Sequence, residues 1–236
     1  MVRDILAVVW KEIRELFFAP GNSIRGRILI FIAIAGIILP LQQGQLWLHS
    51  SLAVQLIVME PVFLVLNVIA DAFAGERERH TLETLLASRL SDRSILFGKL
   101  LTAIIYGWVV GLIVVNVAHS TGTFMFYSGE VLVACLLLSL LMVTFMAALG
   151  ILISLKAASV RQAQQTLSIS FLVIFFALIY GTQALPKDWI NNIINFAGNI
   201  GVYGVILVIA VALVVVDAIL IGVTASRFQR DRLILS

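Results

Sequence analysis

The sequence predicts an all-α polytopic membrane protein: six transmembrane helices, an N-terminal amphipathic interfacial helix and a short helix on the cytoplasmic side. Three observations carry that class. Of 236 residues, 61% are hydrophobic and 12% are charged, where a soluble domain carries roughly a quarter charged, and the mean hydropathy is +1.08. Six apolar runs each reach the length of about 20 residues that a helix needs to cross the hydrocarbon core, and their continuity is unlike the alternating strands of a barrel. Finally, 15 of the 16 basic residues fall in alternate connecting segments. So few charges exclude an ordinary soluble enzyme. The isoelectric point near 9.3 does not signal nucleic acid, because the basic residues are sorted by membrane side.

Residues 1–27 form the cytoplasmic entry. Within them 3–18 read as an amphipathic helix, with Ile5, Val9, Ile13, Leu16 and Phe17 on one stripe and Asp4, Lys11, Glu12 and Glu15 elsewhere. Ala19-Pro20-Gly21-Asn22 ends it. The run Lys11-Glu12-Ile13-Arg14-Glu15, directly after a short apolar cluster, is unlike a signal peptide. Two settings suit such a helix: the inner headgroup layer alone, or that layer together with a cytoplasmic partner.

The spans are 28–47, 52–73, 100–117, 131–155, 167–185 and 202–225. Arg3, Lys11, Arg14, Arg25 and Arg27 precede the first, and Arg77, Arg79, Arg89, Arg93 and Lys99 separate the second from the third. Lys156 and Arg161 lie between the fourth and fifth, Arg227, Arg230 and Arg232 follow the sixth, and Lys187 stands alone on the other side. The positive-inside rule then places both termini in the cytoplasm, in a multi-pass protein of the cytoplasmic membrane. Between the last two spans, 186–201 carries Trp189, Ile190, Ile193, Ile194 and Phe196 at helical spacing. This predicts an outer re-entrant or interfacial helix, acting as a gate or as an anchor.

Ionisable groups inside spans are functional candidates, since each costs on the order of 3 kcal/mol at mid-helix. Glu60, beside Pro61, and Asp217 are the two deepest, and with Asn67 they are the possible translocation-path residues. Each also has a structural reading: Glu60 as a hydrogen-bonded acid at a proline kink, Asp217 as a partner of Lys156 or Arg161, Asn67 as a hydrogen bond between helices. Asp71 reads as an anchor at the cytoplasmic interface. His49, His80 and His119 lie too far apart to share a metal, and Cys135 reads as a small packing residue. No metal site and no catalytic constellation is predicted within the spans.

The loop 74–99 holds the most information. From Phe73 to Lys99 it carries nine charges in 27 residues, far more than a plain connection needs. Thr81 to Leu90 reads as a helix, with Leu82, Leu85, Leu86 and Leu90 toward the bundle and Arg79 and Glu83 outward. Ser91 is the expected N-cap of the next helix.

The run Gly75-Glu76-Arg77-Glu78-Arg79-His80-Thr81-Leu82-Glu83, then Leu85-Leu86, Ser91 and Gly98-Lys99, resembles the signature loop of type-2 permeases of ATP-binding-cassette (ABC) exporters. The opening Trp10-Lys11-Glu12 and the span count extend the likeness over most of the chain. His80 stands where that family usually has Gly, and Arg89 where it usually has Pro. The resemblance implies that the loop helix is a coupling helix docked in a cleft of an ATPase subunit, with Glu76, Arg79, Thr81, Leu82, Glu83, Leu85 and Leu86 as the coupling residues. It further implies two permease copies, as a homodimer or heterodimer, and two ATPase subunits that bind ATP and magnesium. No cofactor is expected in this chain. It lacks a G-x-x-x-x-G-K-[ST] phosphate loop, since Arg93 and Leu100 occupy the first Gly and the Ser/Thr positions around Gly98-Lys99. The expectation is therefore a non-enzymatic permease subunit driven by a separate ATPase. Its rivals are a stand-alone proton-coupled carrier using Glu60 and Asp217, and a non-transporting membrane scaffold. No span carries a motif that selects a cargo.

Overall fold

A computed structural model describes residues 1–18, 24–43, 51–120, 129–184 and 186–228. Every regular element among them is helical: α1 (Val2–Phe18), α2 (Ile24–Phe31) running through a π-helical stretch (Ile32–Ile38) into α3 (Leu39–Gln43), α4 (Ser51–Glu78), α5 (Leu82–Ala87), α6 (Asp92–Ser120), α7 (Gly129–Ser154), α8 (Val160–Ala184) and α9 (Lys187–Arg227). Within the described residues, four segments are long and apolar enough to cross a membrane: Val58–Glu78, Asp92–Val117, Leu132–Ser154 and Asn195–Arg227. The first predicted span, 28–47, coincides with a shorter apolar stretch, Ile28–Ile38. The fifth, 167–185, coincides with α8, whose first turns carry Arg161, Gln162, Gln164 and Gln165. His49, residues 121–128 and the basic residues Arg230 and Arg232 lie outside the described residues.

The bundle is organised around α4. Its Val62, Val65, Ile69 and Phe73 are fully buried, together with Ile95 and Leu96 of α6, Val143, Met146 and Ile151 of α7 and Leu167 of α8. In lipid, apolar side chains gain little by leaving one apolar surface for another, so close backbone approach and interhelical hydrogen bonds decide association. The sequence provides that approach with glycine. A Cβ at Gly107 of α6 would lie 2.1 Å from Val65, and one at Gly111 would lie 2.6 Å from Pro61. These two glycines, four residues apart on one face of α6, form the seat for the proline-bearing part of α4. Hydrogen bonds add to the packing. Ser154 Oγ donates to the Ala70 carbonyl at 3.0 Å and receives the Phe73 and Ala74 amides at 3.1 and 3.0 Å, and Asn67 Oδ1 accepts from Gln164 Nε2 of α8 at 3.3 Å.

α1 packs on α6 of its own chain, burying Val8, Val9 and Leu16. Gly98 is what allows this, since a Cβ there would come within 2.6 Å of Val8. Val2, Leu6 and Trp10, one helical turn apart, remain exposed on another face. α1 thus has two apolar sides, one for the bundle and one for the surroundings. The final helix is two helices meeting at Gly201, whose φ of 69° is open to glycine at little cost. That break falls between the predicted segment 186–201 and the span 202–225.

Candidate functional site

The loop helix is built from its ends inward. α4 stops in a Schellman arrangement: the Thr81 amide reaches back to the Glu76 carbonyl at 2.9 Å and the His80 amide to the Arg77 carbonyl at 3.1 Å. His80 occupies the left-handed position of that motif with φ 56°, a conformation that strains any residue with a Cβ. This is why a glycine suits the position. α5 then covers only Leu82–Ala87, shorter than the expected Thr81–Leu90. It breaks because Ser88 is extended, with ψ 162°, which is the conformation imposed on a residue that precedes proline. Arg89 therefore keeps the bend without the ring. Ser91 caps α6 as expected, its Oγ accepting the Ser94 amide at 3.2 Å.

Four consecutive charged residues then hold four different places. Glu76, 3% exposed, takes Lys11 Nζ of α1 at 2.8 Å and Lys99 Nζ of α6 at 3.2 Å, and the Thr81 hydroxyl donates to its other oxygen. Arg77 donates to the carbonyls of Leu155, at 3.1 Å, and Ala157, covering the C-terminal end of α7 where helix carbonyls lack partners and cations are favoured. Glu78 accepts the Val160 amide at 3.1 Å and so caps α8. Arg79 turns back along α4 to Asp71 at 3.2 Å. Gly75 makes room for that last pair, because a Cβ there would lie 1.9 Å from Asp71 Oδ1. The run from Glu76 to Arg79 is thus a hub joining α1, α4, α6, α7 and α8.

The centre of the hub is a buried ion cluster. Lys99, its side chain 1% exposed, pairs with Glu12 at 2.7 Å as well as with Glu76, and its ammonium stands 5.4 Å from the centre of the Phe73 ring. Lys11 also approaches Glu12 and Glu15, at 3.4 and 3.3 Å. Partial burial works against the Lys11 charge, but the carboxylates of Glu12, Glu76 and Glu15 outweigh it and raise its pKa above the usual lysine range. The carboxylate oxygens of Glu12, Glu15 and Glu76 lie within 4.8 Å of one another, a grouping that suits a cation. The two lysine ammoniums already supply that charge.

Of the expected coupling residues, Glu76, Leu82 and Leu86 are buried, and Thr81, itself exposed, joins the hub by donating its hydroxyl to Glu76. Leu85 is half-buried, and Glu83 and Arg79 are exposed. Thr84 and Ala87 share the exposed face of α5 with Glu83. Among the path residues, Asn67 bonds α8, whereas Glu60 and Asp217 are 2% and 5% exposed. Glu60 Oε1 and both Asp217 carboxylate oxygens have no hydrogen-bond partner among the described residues. The expected pairing of Asp217 with Lys156 or Arg161 does not form. Lys11 and Glu12, which their spacing put off the apolar stripe of α1, meet Glu76 and Lys99, and Lys99, read in the sequence as a loop cation and part of the Gly98-Lys99 entry, is a buried ionic partner.

A sequence model described as ABC-2 family transporter protein matches residues 32–200, which holds the whole loop, α5 and the Gly98-Lys99 entry to α6. No curated protein matches the chain. On the strength of that match the chain belongs to the ABC-2 transporter family, whose members are membrane components of ABC transporters.

Proposed function

We propose that the chain is the permease subunit of an ABC exporter, moving a substrate across the cytoplasmic membrane with energy from ATP hydrolysed by a separate ATPase subunit. The observation that carries this reading is the seating of α5. A six-residue helix between two spans is pinned through Glu76, Thr81, Leu82 and Leu86, while Glu83, Thr84 and Ala87 stay exposed. A partner pushing on that outer face would move α1, α4 and α6 together, because the ion cluster joins them. In this reading α5 is the coupling helix, the spans number six with both termini inside, and a second copy covers the long apolar outer face of α9, where Leu207, Val211, Val215 and Ile219 are exposed.

The test is co-purification with an ATPase subunit followed by ATP hydrolysis in liposomes. Glu83→Lys is expected to lower substrate-stimulated hydrolysis at least several-fold while the protein stays in the membrane. Unchanged coupling in that variant, or substrate movement with no ATPase present, overturns the proposal. One observation favours the carrier reading instead: Glu60 Oε1 and both Asp217 carboxylate oxygens are buried with no hydrogen-bond partner among the described residues. Transport by the purified chain alone that depends on a proton gradient and is abolished by Glu60→Gln would select it.

A further inference from the structure

Beside the hub, on the same cytoplasmic side, a groove of about 790 Å³ opens between the end of α7, the start of α8 and the end of α9. Its walls are apolar, formed by Leu152, Ile153, Leu155 and Val223, and its rim carries Lys156 and Arg227. Both cations are exposed, and among the described residues neither has a carboxylate partner. Among the described residues, no acidic side chain lines the groove. The third cation, Arg77, is committed to the Leu155 and Ala157 carbonyls. The Val160 and Gln162 amides of α8 are likewise taken, by the Glu78 carboxylate and the Ser159 hydroxyl, each at 3.1 Å. Any charge selectivity of the groove therefore comes from Lys156 and Arg227.

We infer that this groove binds the phosphate headgroup of an anionic phospholipid from the inner leaflet. The occupant follows from chemistry. Two unpaired cations without a competing acid select a negative group, and cationic pockets between helices on the cytoplasmic side are suited to such headgroups. Walls of leucine, isoleucine and valine suit the glycerol and first acyl carbons, whereas a free anion gains nothing from them. The groove also touches Arg77, which holds the end of α7 to the loop, so an occupied groove braces the joint between the bundle and α5. The inference rests on the inner-side orientation proposed above and not on the ATPase partner.

The experiment uses the full chain in detergent, with thermal unfolding and native mass spectrometry read after adding phosphatidylglycerol, phosphatidylcholine or inorganic phosphate. Each cation near an anionic headgroup contributes about a fivefold preference, so phosphatidylglycerol is expected to bind about 25-fold more tightly than phosphatidylcholine. Lys156→Gln with Arg227→Gln is expected to abolish that preference. Thr166→Glu, which puts a carboxylate beside the groove, is a second variant with the same expectation. Arg14→Gln with Arg161→Gln removes two exposed cations elsewhere and is expected to leave the preference intact. Equal binding of the two lipids, persistence of the preference in the groove variants, or an equal loss in the Arg14/Arg161 variant overturns the inference. Stabilisation by inorganic phosphate alone, at the same concentration, overturns the lipid as occupant.

Discussion

Replacing Lys99 by methionine tests the buried cluster directly. Methionine keeps the length and apolar volume of the lysine stem and removes only the ammonium. In the native chain that group lies 2.7 Å from Glu12 and 3.2 Å from Glu76, whose side chains are 15% and 4% exposed. Its loss leaves three carboxylates sharing Lys11, which is 41% exposed and closest to Glu76. Removing one partner of a buried pair typically costs roughly 3–5 kcal/mol; the remaining contact with Lys11 places this case at the lower end, about 3 kcal/mol. Lys11→Met removes a half-exposed cation and is expected to cost about 1 kcal/mol. In Glu76→Leu with Lys99→Met the two most buried charges leave together, and that variant is expected to be more stable than Lys99→Met alone. The assay is equilibrium unfolding in mixed micelles, followed by tryptophan fluorescence. A Lys99→Met protein as stable as Lys11→Met, or a double variant less stable than the single one, would refute the reasoning.

Three further outcomes are expected, two in the same assay and one by proteolysis. His80→Gly relieves the left-handed strain at φ 56° and should stabilise the chain by about 1 kcal/mol, the cost of that conformation less the added freedom of the unfolded glycine; destabilisation would show that the His80 side chain holds the turn. Gly98→Val places side-chain atoms where Val8 now lies and should detach α1 from α6, read as faster proteolysis of the first 18 residues in membranes; unchanged protection would contradict the packing. Ser154→Ala removes the hydroxyl that bonds Ala70, Phe73 and Ala74 and should cost about 1–3 kcal/mol, while Ser226→Ala, which loses one exposed bond, should cost little.

Much of the architecture was legible because membrane insertion is decided by local hydrophobicity. The helices at 51–78, 92–120 and 129–154 follow the apolar runs, Ser91 caps α6 as its type and position indicate, and the change of character at 201–202 marks the break at Gly201. The loop was readable as special from its charge density and its motif, and that motif pointed to the family the chain belongs to. What those charges touch was not readable. Spacing along α1 assigned Lys11 and Glu12 to a polar side, and spacing cannot report that Glu76 and Lys99 wait opposite them.

By itself, then, the sequence determined an all-helical membrane chain, the positions of its long apolar helices and the singular character of residues 74–99. The tertiary structure alone decided that Glu12, Glu76 and Lys99, the outer two 87 positions apart, meet with Lys11 in one cluster, and that α1 is a part of the bundle. The physical reason is the range of the forces involved. Hydrophobic length is a property of one segment, while an ion pair in a buried site exists only once the helices carrying its two halves have packed.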